Sequence, residues 1–130
     1  MTSPSSRLAV RGVDVLAVMR IAAGVLAWLD PRFTARLFGL TGDDGDAQYA
    51  WRLFGIRDVV LGIGTLASSG AQRRAFATAG LACDAADGAA GAISMSRNDF
   101  TRPASGAPVL VPAIAVAFGL WALRGTAREN

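Results

Sequence analysis

Ionised side chains stand at the centres of otherwise apolar helical stretches: Arg20 in the first, Arg57 and Asp58 in the second, Asp84 and Asp87 in the third. An unpaired charge in hydrocarbon costs roughly 2.5–3.5 kcal/mol even on lenient insertion scales, so such residues are driven to pair inside a bundle. That restricts the chain to several packed helices with a polar layer at their centre.

The hydrophobic share of 52% over 130 residues and the mean hydropathy of +0.38 exceed those of ordinary soluble proteins, which places the membrane class first and allows a single domain, 1–130. The net charge of +3 does not point to nucleic acid, because the arginines are dispersed along hydrophobic segments rather than gathered on one polar face. With no histidine and one cysteine, an internal disulfide, a CxxC redox pair, a thiolate zinc site and histidine-ligated haem all lack their ligands. No cofactor and no metal is expected. Arg7 and Arg11 ahead of an apolar run imitate a signal peptide, but Arg20 in the middle of that run argues against one.

From Pro103 to Leu123 no residue is charged, a length that at about 1.5 Å per residue crosses a hydrocarbon core of roughly 30 Å. The other spans are expected at 13–29, 47–66 and 74–95, making an all-α, four-helix transmembrane bundle. The third is too weak to insert alone: two central aspartates cost on the order of 5–7 kcal/mol against about 2 kcal/mol gained from its apolar residues. It needs partners, and Arg20 and Arg57 lie at comparable depth. Three acids then face two arginines, so either one carboxyl is protonated or Arg52 completes the balance.

Between the first two spans, Asp30 followed by Pro31 reads as an N-cap and a first-turn proline. Phe33, Leu37 and Leu40, with Arg32 and Arg36 beside them, make a short helix suited to the membrane interface. The loop Gly42 to Asp46 turns the chain, with Asp46 as the cap of the second span. It lacks the spacing and terminal Glu of an EF-hand. Arg7, Arg11, Arg73, Arg74, Arg124 and Arg128 fall on the side shared by both termini, against Arg32, Arg36, Arg97 and Arg102 on the other, which puts both termini in the cytoplasm of a multi-pass inner-membrane protein. Trp28, Tyr49 and Trp51 would mark the outer interface and Trp121 the inner one. The strings Arg36–Leu40 and Arg52–Ile56 are nearly identical but do not make a repeat array.

On the third span Gly80, Asp84, Asp87, Gly88 and Gly91 share one helical face, where small residues permit close approach and the aspartates reach partners. On the second, Gly55, Asp58 and Gly62 share a face while Arg57 points about 100° away, so the adjacent charges engage different helices. On the first, Gly24 follows Arg20 by four residues, as if opening room beside the guanidinium. The candidate intramembrane polar site is therefore Arg20, Arg52, Arg57, Asp58, Asp84 and Asp87. Cys83 has no basic partner within local reach and reads as a small packing residue. Asp84-Ala85-Ala86-Asp87-Gly88 resembles the opening of the CDP-alcohol phosphotransferase signature, but the later carboxylates are absent, so a two-metal site lacks its ligands.

Pro31-Arg32, Arg36-Leu37 with Gly39-Leu40, then Arg52-x-x-Gly55-x-Arg57-Asp58 with Gly62-x-Gly64, then Asp84 and Asp87 together resemble small four-helix bacterial membrane proteins of unknown function. Those proteins are distantly DoxX-like and sometimes found ahead of a polyketide-cyclase/dehydrase-type domain. The resemblance covers about half the chain. Cys83 stands where such proteins tend to have Gly, and their upstream aromatic and Arg residues are not evident near Ala77 to Ala82. It implies a fold and a polar core and supplies no reaction.

Three functions stay open. The leading one is a non-enzymatic membrane protein, with no catalytic residue, whose charged layer locks the helices and which binds a small amphiphile, a partner helix or a second copy. The second is proton- or cation-coupled transport using Asp84 or Asp87. The third is carboxylate acid/base catalysis on a lipid or isoprenoid, for which the chain shows no nucleophile, metal set or cofactor motif. A soluble helical bundle is the fourth alternative, given the alanine-rich third helix.

Overall fold

Asp30 and Pro31 end one helix and start the next. The Asp30 carboxylate accepts the Phe33 N–H at 2.9 Å, and Pro31 occupies the first turn, where its missing N–H breaks no intrahelical bond. A computed structural model of the chain describes residues 4–100 and 106–127, with side chains for 7–100 and 106–125. Its helices are α1 (Pro4–Leu29), α2 (Pro31–Leu37), α3 (Gly45–Ala67), α4 (Gly70–Arg97) and α5 (Ala107–Ala127), and among the described residues there is no strand.

Several boundaries differ from those expected. The first long helix begins nine residues before Val13, and α4 extends past both Arg74 and Met95. Hydropathy marks where a helix is apolar, whereas its ends are set by caps and polar turns that carry no hydropathy signal. Asp44, not Asp46, caps α3: its carboxylate accepts the Ala47 N–H at 2.7 Å, and Asp46 lies within the first turn. Asn98 in the left-handed region, at φ 54°, ends α4. The expected start of the fourth span, Pro103, lies outside the described residues, and α5 begins at Ala107.

The four long helices form a ring in the order α1, α3, α4, α5, with α2 packed against α1 and α3. Gly24 lies opposite Gly55 and Ala17 opposite Gly62, so α1 and α3 are antiparallel; Gly64 opposite Phe76, Gly91 opposite Pro108 and Gly12 opposite Trp121 and Ala122 carry the same relation around the ring. Consequently α1 and α4 run parallel across one diagonal, and α1 starts at the end where α5 finishes.

Small residues fill the interior. Among the described residues the buried apolar side chains are Ala9, Val13, Ala17, Ala27, Ala35, Leu81 and Ala122, and no large side chain is fully buried. The large apolar ones face outwards instead: Val15, Val18 and Met19 on α1, Leu53, Ile56, Val60 and Ile63 on α3, Leu110, Ile114 and Leu120 on α5. The outward face of α4 is mostly alanine, including Ala75, Ala79, Ala82, Ala86 and Ala89. Two helices, α1 over Arg7–Leu29 and α5 over Ala107–Gly125, are long and apolar enough to cross a membrane. The expectation of four such segments is thus met in part, because Arg57, Asp58 and Arg52 on α3 and the charged and alanine-rich make-up of α4 lower their apolarity.

Among the described glycines the closest approach to the backbone of another helix is at Gly24 and Gly55, where a Cβ on either would come 2.5 Å from the other's carbonyl oxygen. A side chain there must force α1 and α3 apart, and overpacking of this kind costs about 1–3 kcal/mol. Gly55→Val is therefore expected to lower the thermal unfolding temperature of the detergent-solubilised protein, measured by circular dichroism. Gly45→Ala, whose Cβ meets nothing within 4 Å, is expected to leave it unchanged.

Candidate functional site

Arg20 sits on the buried stripe of α1 and sends its guanidinium across the bundle. Its Nη1 donates to Asp58 Oδ1 at 3.1 Å and its Nη2 to Asp84 Oδ2 at 2.5 Å, so one side chain ties α1 to α3 and, along the diagonal, to α4. Arg57 closes the adjacent side. Its Nη1 and Nη2 grip the two oxygens of Asp87 at 3.1 and 2.6 Å, a bidentate pair between α3 and α4. The same guanidinium donates from Nε and Nη2 to Asp58 Oδ1, each at 3.3 Å, and lies 4.9 Å from the centre of the Phe54 ring.

These contacts form one continuous network with Asp58 as its node. Arginine suits the position because its planar fork serves two carboxylates at fixed angles, which the single ammonium of lysine does not reproduce. Burial falls across the network: the side chains of Arg20, Asp58 and Asp84 are 7%, 6% and 11% exposed, those of Arg57 and Asp87 33% and 29%. Nothing charged comes from α5, which presents Pro108, Pro112 and Gly119 to α4.

Five of the six candidate polar residues are brought together, and Arg52 is not. It precedes Arg57 by five residues, about 140° around the helix, and among the described residues it makes no ion pair. Arg52 therefore does not balance the third acid. The glycines divide into two roles. A Cβ at Gly80 would stand 3.1 Å from the Arg20 guanidinium, so this residue makes the room that the sequence had suggested for Gly24; Gly24 instead meets the backbone of α3. Gly62 accommodates Ile21, Gly91 accommodates Pro108 and Gly88 faces Pro112.

One ion pair escaped the sequence reading. Arg73 Nη2 donates to Asp14 Oδ1 at 2.6 Å, joining the start of α4 to α1 along the same diagonal that Arg20 spans. The available signal was Asp14 itself, an acid inside an apolar run six residues before Arg20. Between the two diagonal pairs lies a narrow cleft whose walls include Arg20, Thr65, Leu81 and Gly119. The Thr65 hydroxyl is already committed to the Leu61 carbonyl at 2.8 Å.

Chemically the layer is an interhelical clasp. Cys83 is half-buried and in no disulfide among the described residues, and among these residues no group of three or more acidic or cysteine side chains is placed to hold a metal ion. Removing one partner of a buried pair leaves the other uncompensated, at a cost of about 3–5 kcal/mol. Arg20→Gln strands Asp84, leaves Asp58 with Arg57 alone, and is expected to abolish the folded monomer or lower its unfolding temperature sharply in detergent. Arg57→Gln, at the more accessible end, is expected to produce the smaller loss in the same measurement. Comparison with protein-family models, with curated proteins and with solved structures gave no match to this chain.

Proposed function

We propose that the chain is a non-enzymatic, multi-pass membrane protein in which all four long helices cross the bilayer and the Arg/Asp layer holds them together. The observation that carries this reading is the inversion of the usual packing: charge and small residues inside, large apolar side chains outside. In water such a surface would be an aggregation liability. In lipid it is the matched solvent, and the buried charges are the expected exception, facing one another in the interior.

The two less apolar helices fit the same picture. Each of α3 and α4 has at least 23 residues, enough to span about 30 Å at about 1.5 Å per residue. Their central charges are closed by partners on neighbouring helices, which removes most of the insertion penalty once the bundle has assembled. Trp28, Tyr49 and Trp51 gather at one end of the bundle and Trp121 at the other, and the first three are joined by Phe38, whose ring lies 5.1 Å from Trp51. Exposed Arg32 and Arg36 beside exposed Phe33 and Leu37 suit α2 to the lipid headgroups at the first of these ends. Arg7, Arg11, Arg73, Arg74 and Arg124 cluster at the opposite end, which the positive-inside bias assigns to the cytoplasm. This reading accommodates the resemblance to DoxX-like proteins. It leaves a small amphiphile or a partner helix as the bound species, and it disfavours catalysis because the carboxylates are engaged by arginines rather than presented to a cavity.

Two measurements test it. Alkaline carbonate extraction is expected to leave the protein in the membrane pellet; release into the supernatant would end the membrane reading. In a Cys83→Ser background, Asp43→Cys is expected to react with an impermeant maleimide added outside intact spheroplasts, and Ser69→Cys only after lysis. The reverse pattern would invert the orientation, and labelling of both from outside would overturn a four-span topology.

A further inference from the structure

We propose that the charged layer binds one exchangeable proton, carried by Asp84 on Oδ1, and that this proton makes the layer electrically neutral. The inference rests on the membrane-embedded reading and goes beyond it by giving the layer a ligand and a stoichiometry.

Three carboxylates, Asp58, Asp84 and Asp87, meet two guanidinium groups, Arg20 and Arg57. The layer thus holds one negative charge too many, and among the described residues no neighbouring element supplies the missing cation. On α1 the only charged group facing Asp84 is Arg20; on α3 they are Arg57 and Asp58; on α4 itself the titratable neighbours are Asp87 and Cys83; α5 has no charged residue before Arg124 at its far end. Arg52, the one spare arginine near this depth, makes no ion pair among the described residues. An uncompensated charge in hydrocarbon is what the arrangement of the other four groups avoids.

The hydrogen bonds select the site. Asp87 receives one donor on each oxygen from Arg57. Asp58 receives three donors from two arginines, all on Oδ1. Asp84 receives a single donor, on Oδ2, from an arginine it shares with Asp58. Among the described residues neither its Oδ1 nor Asp58 Oδ2 has a hydrogen-bond donor, but Asp84 alone of the three accepts only one hydrogen bond in all, so its negative charge is the least compensated and a proton on Oδ1 leaves the Arg20 contact intact. The narrow cleft walled by Arg20 and by Leu81, one turn before Asp84, lies beside the layer. Uptake is simple in balance: hydronium delivers a proton, an O–H bond forms at Asp84 Oδ1 and water is released; the reverse step returns the proton to water. As pH rises and the proton leaves, the layer regains its excess charge and the bundle is destabilised.

Asparagine has the shape and charge of the protonated side chain, which makes the test decisive in both directions. The full chain is reconstituted in phosphatidylglycerol/phosphatidylcholine nanodiscs, and co-elution with the discs is checked first, since its failure would sink the membrane reading rather than the proton. Infrared spectra at neutral pH are then expected to show the C=O band of one protonated carboxyl in wild type and in Asp43→Asn, which lies outside the layer, and none in Asp84→Asn. Asp87→Asn also balances the charge and loses the band, but it gives up the bidentate grip on Arg57 and is expected to unfold at a lower temperature than Asp84→Asn. The unfolding temperature of wild type should fall as pH is raised, while that of Asp84→Asn should be independent of pH and within about 3 °C of the wild-type value at low pH. Absence of the band from wild type, its persistence in Asp84→Asn, or an Asp84→Asn protein that no longer folds would each overturn the proposal, because an ionised Asp84 is the only state that asparagine cannot replace.

Discussion

The position of every long helix except α5 is set by one guanidinium. Arg20 is too buried to be well solvated and too costly to leave alone, so its two terminal nitrogens must find carboxylates within the bundle. Asp58 and Asp84 provide them from α3 and α4. The diagonal contact between α1 and α4 exists because the side chain is long enough to cross an interior built from alanine and glycine. Replace those small residues by leucines and the arginine could not reach; remove the arginine and nothing would hold the diagonal at this depth. The second pair, Asp14 with Arg73, repeats the device nearer the end of the bundle.

Small residues and charge are therefore two halves of one solution. In an aqueous globule, burial of large apolar side chains supplies most of the stabilisation. Here those side chains point outwards and the interior offers little apolar area to bury. Cohesion comes from close backbone approach, as at Gly24 and Gly55, and from charge-assisted hydrogen bonds whose strength grows where water is excluded. The ring is closed through α5: Pro108 and Pro112 fit against Gly91 and Gly88 of α4, and Trp121 and Ala122 against Gly12 of α1, apolar contacts in a helix that carries no charge before Arg124.

Much of this was legible residue by residue. Asp30-Pro31 announced the break after α1, and the charges at Arg20, Arg57, Asp58, Asp84 and Asp87 announced a polar layer, since each signal is local or depends only on the cost of a charge in an apolar run. The cap of α3 was misread as Asp46 because three aspartates in one loop are equivalent until the helix start is known. Arg52 was included because three acids faced two arginines and a third cation was sought along the chain, without weighing its angle around α3. The near-identical strings Arg36–Leu40 and Arg52–Ile56 mark the limit of local reading: the first straddles the end of α2, with Gly39 at φ 74°, and the second lies wholly inside α3. Phe38, packed on Trp51, ends up beside the segment it resembles.

By itself the sequence determined the helical class, the number of long apolar or semi-apolar segments and the identity of the charges that must meet, because helix periodicity and the penalty for an isolated charge act over short stretches of chain. Only the tertiary structure decided which arginine meets which aspartate. Pairing depends on helix order around the ring and on the rotation of each helix, and these are set by contacts between residues dozens of positions apart. That choice gives Asp58 two arginines, Asp87 a bidentate grip and Asp84 a half share of Arg20, a division that no count of charges along the chain contains.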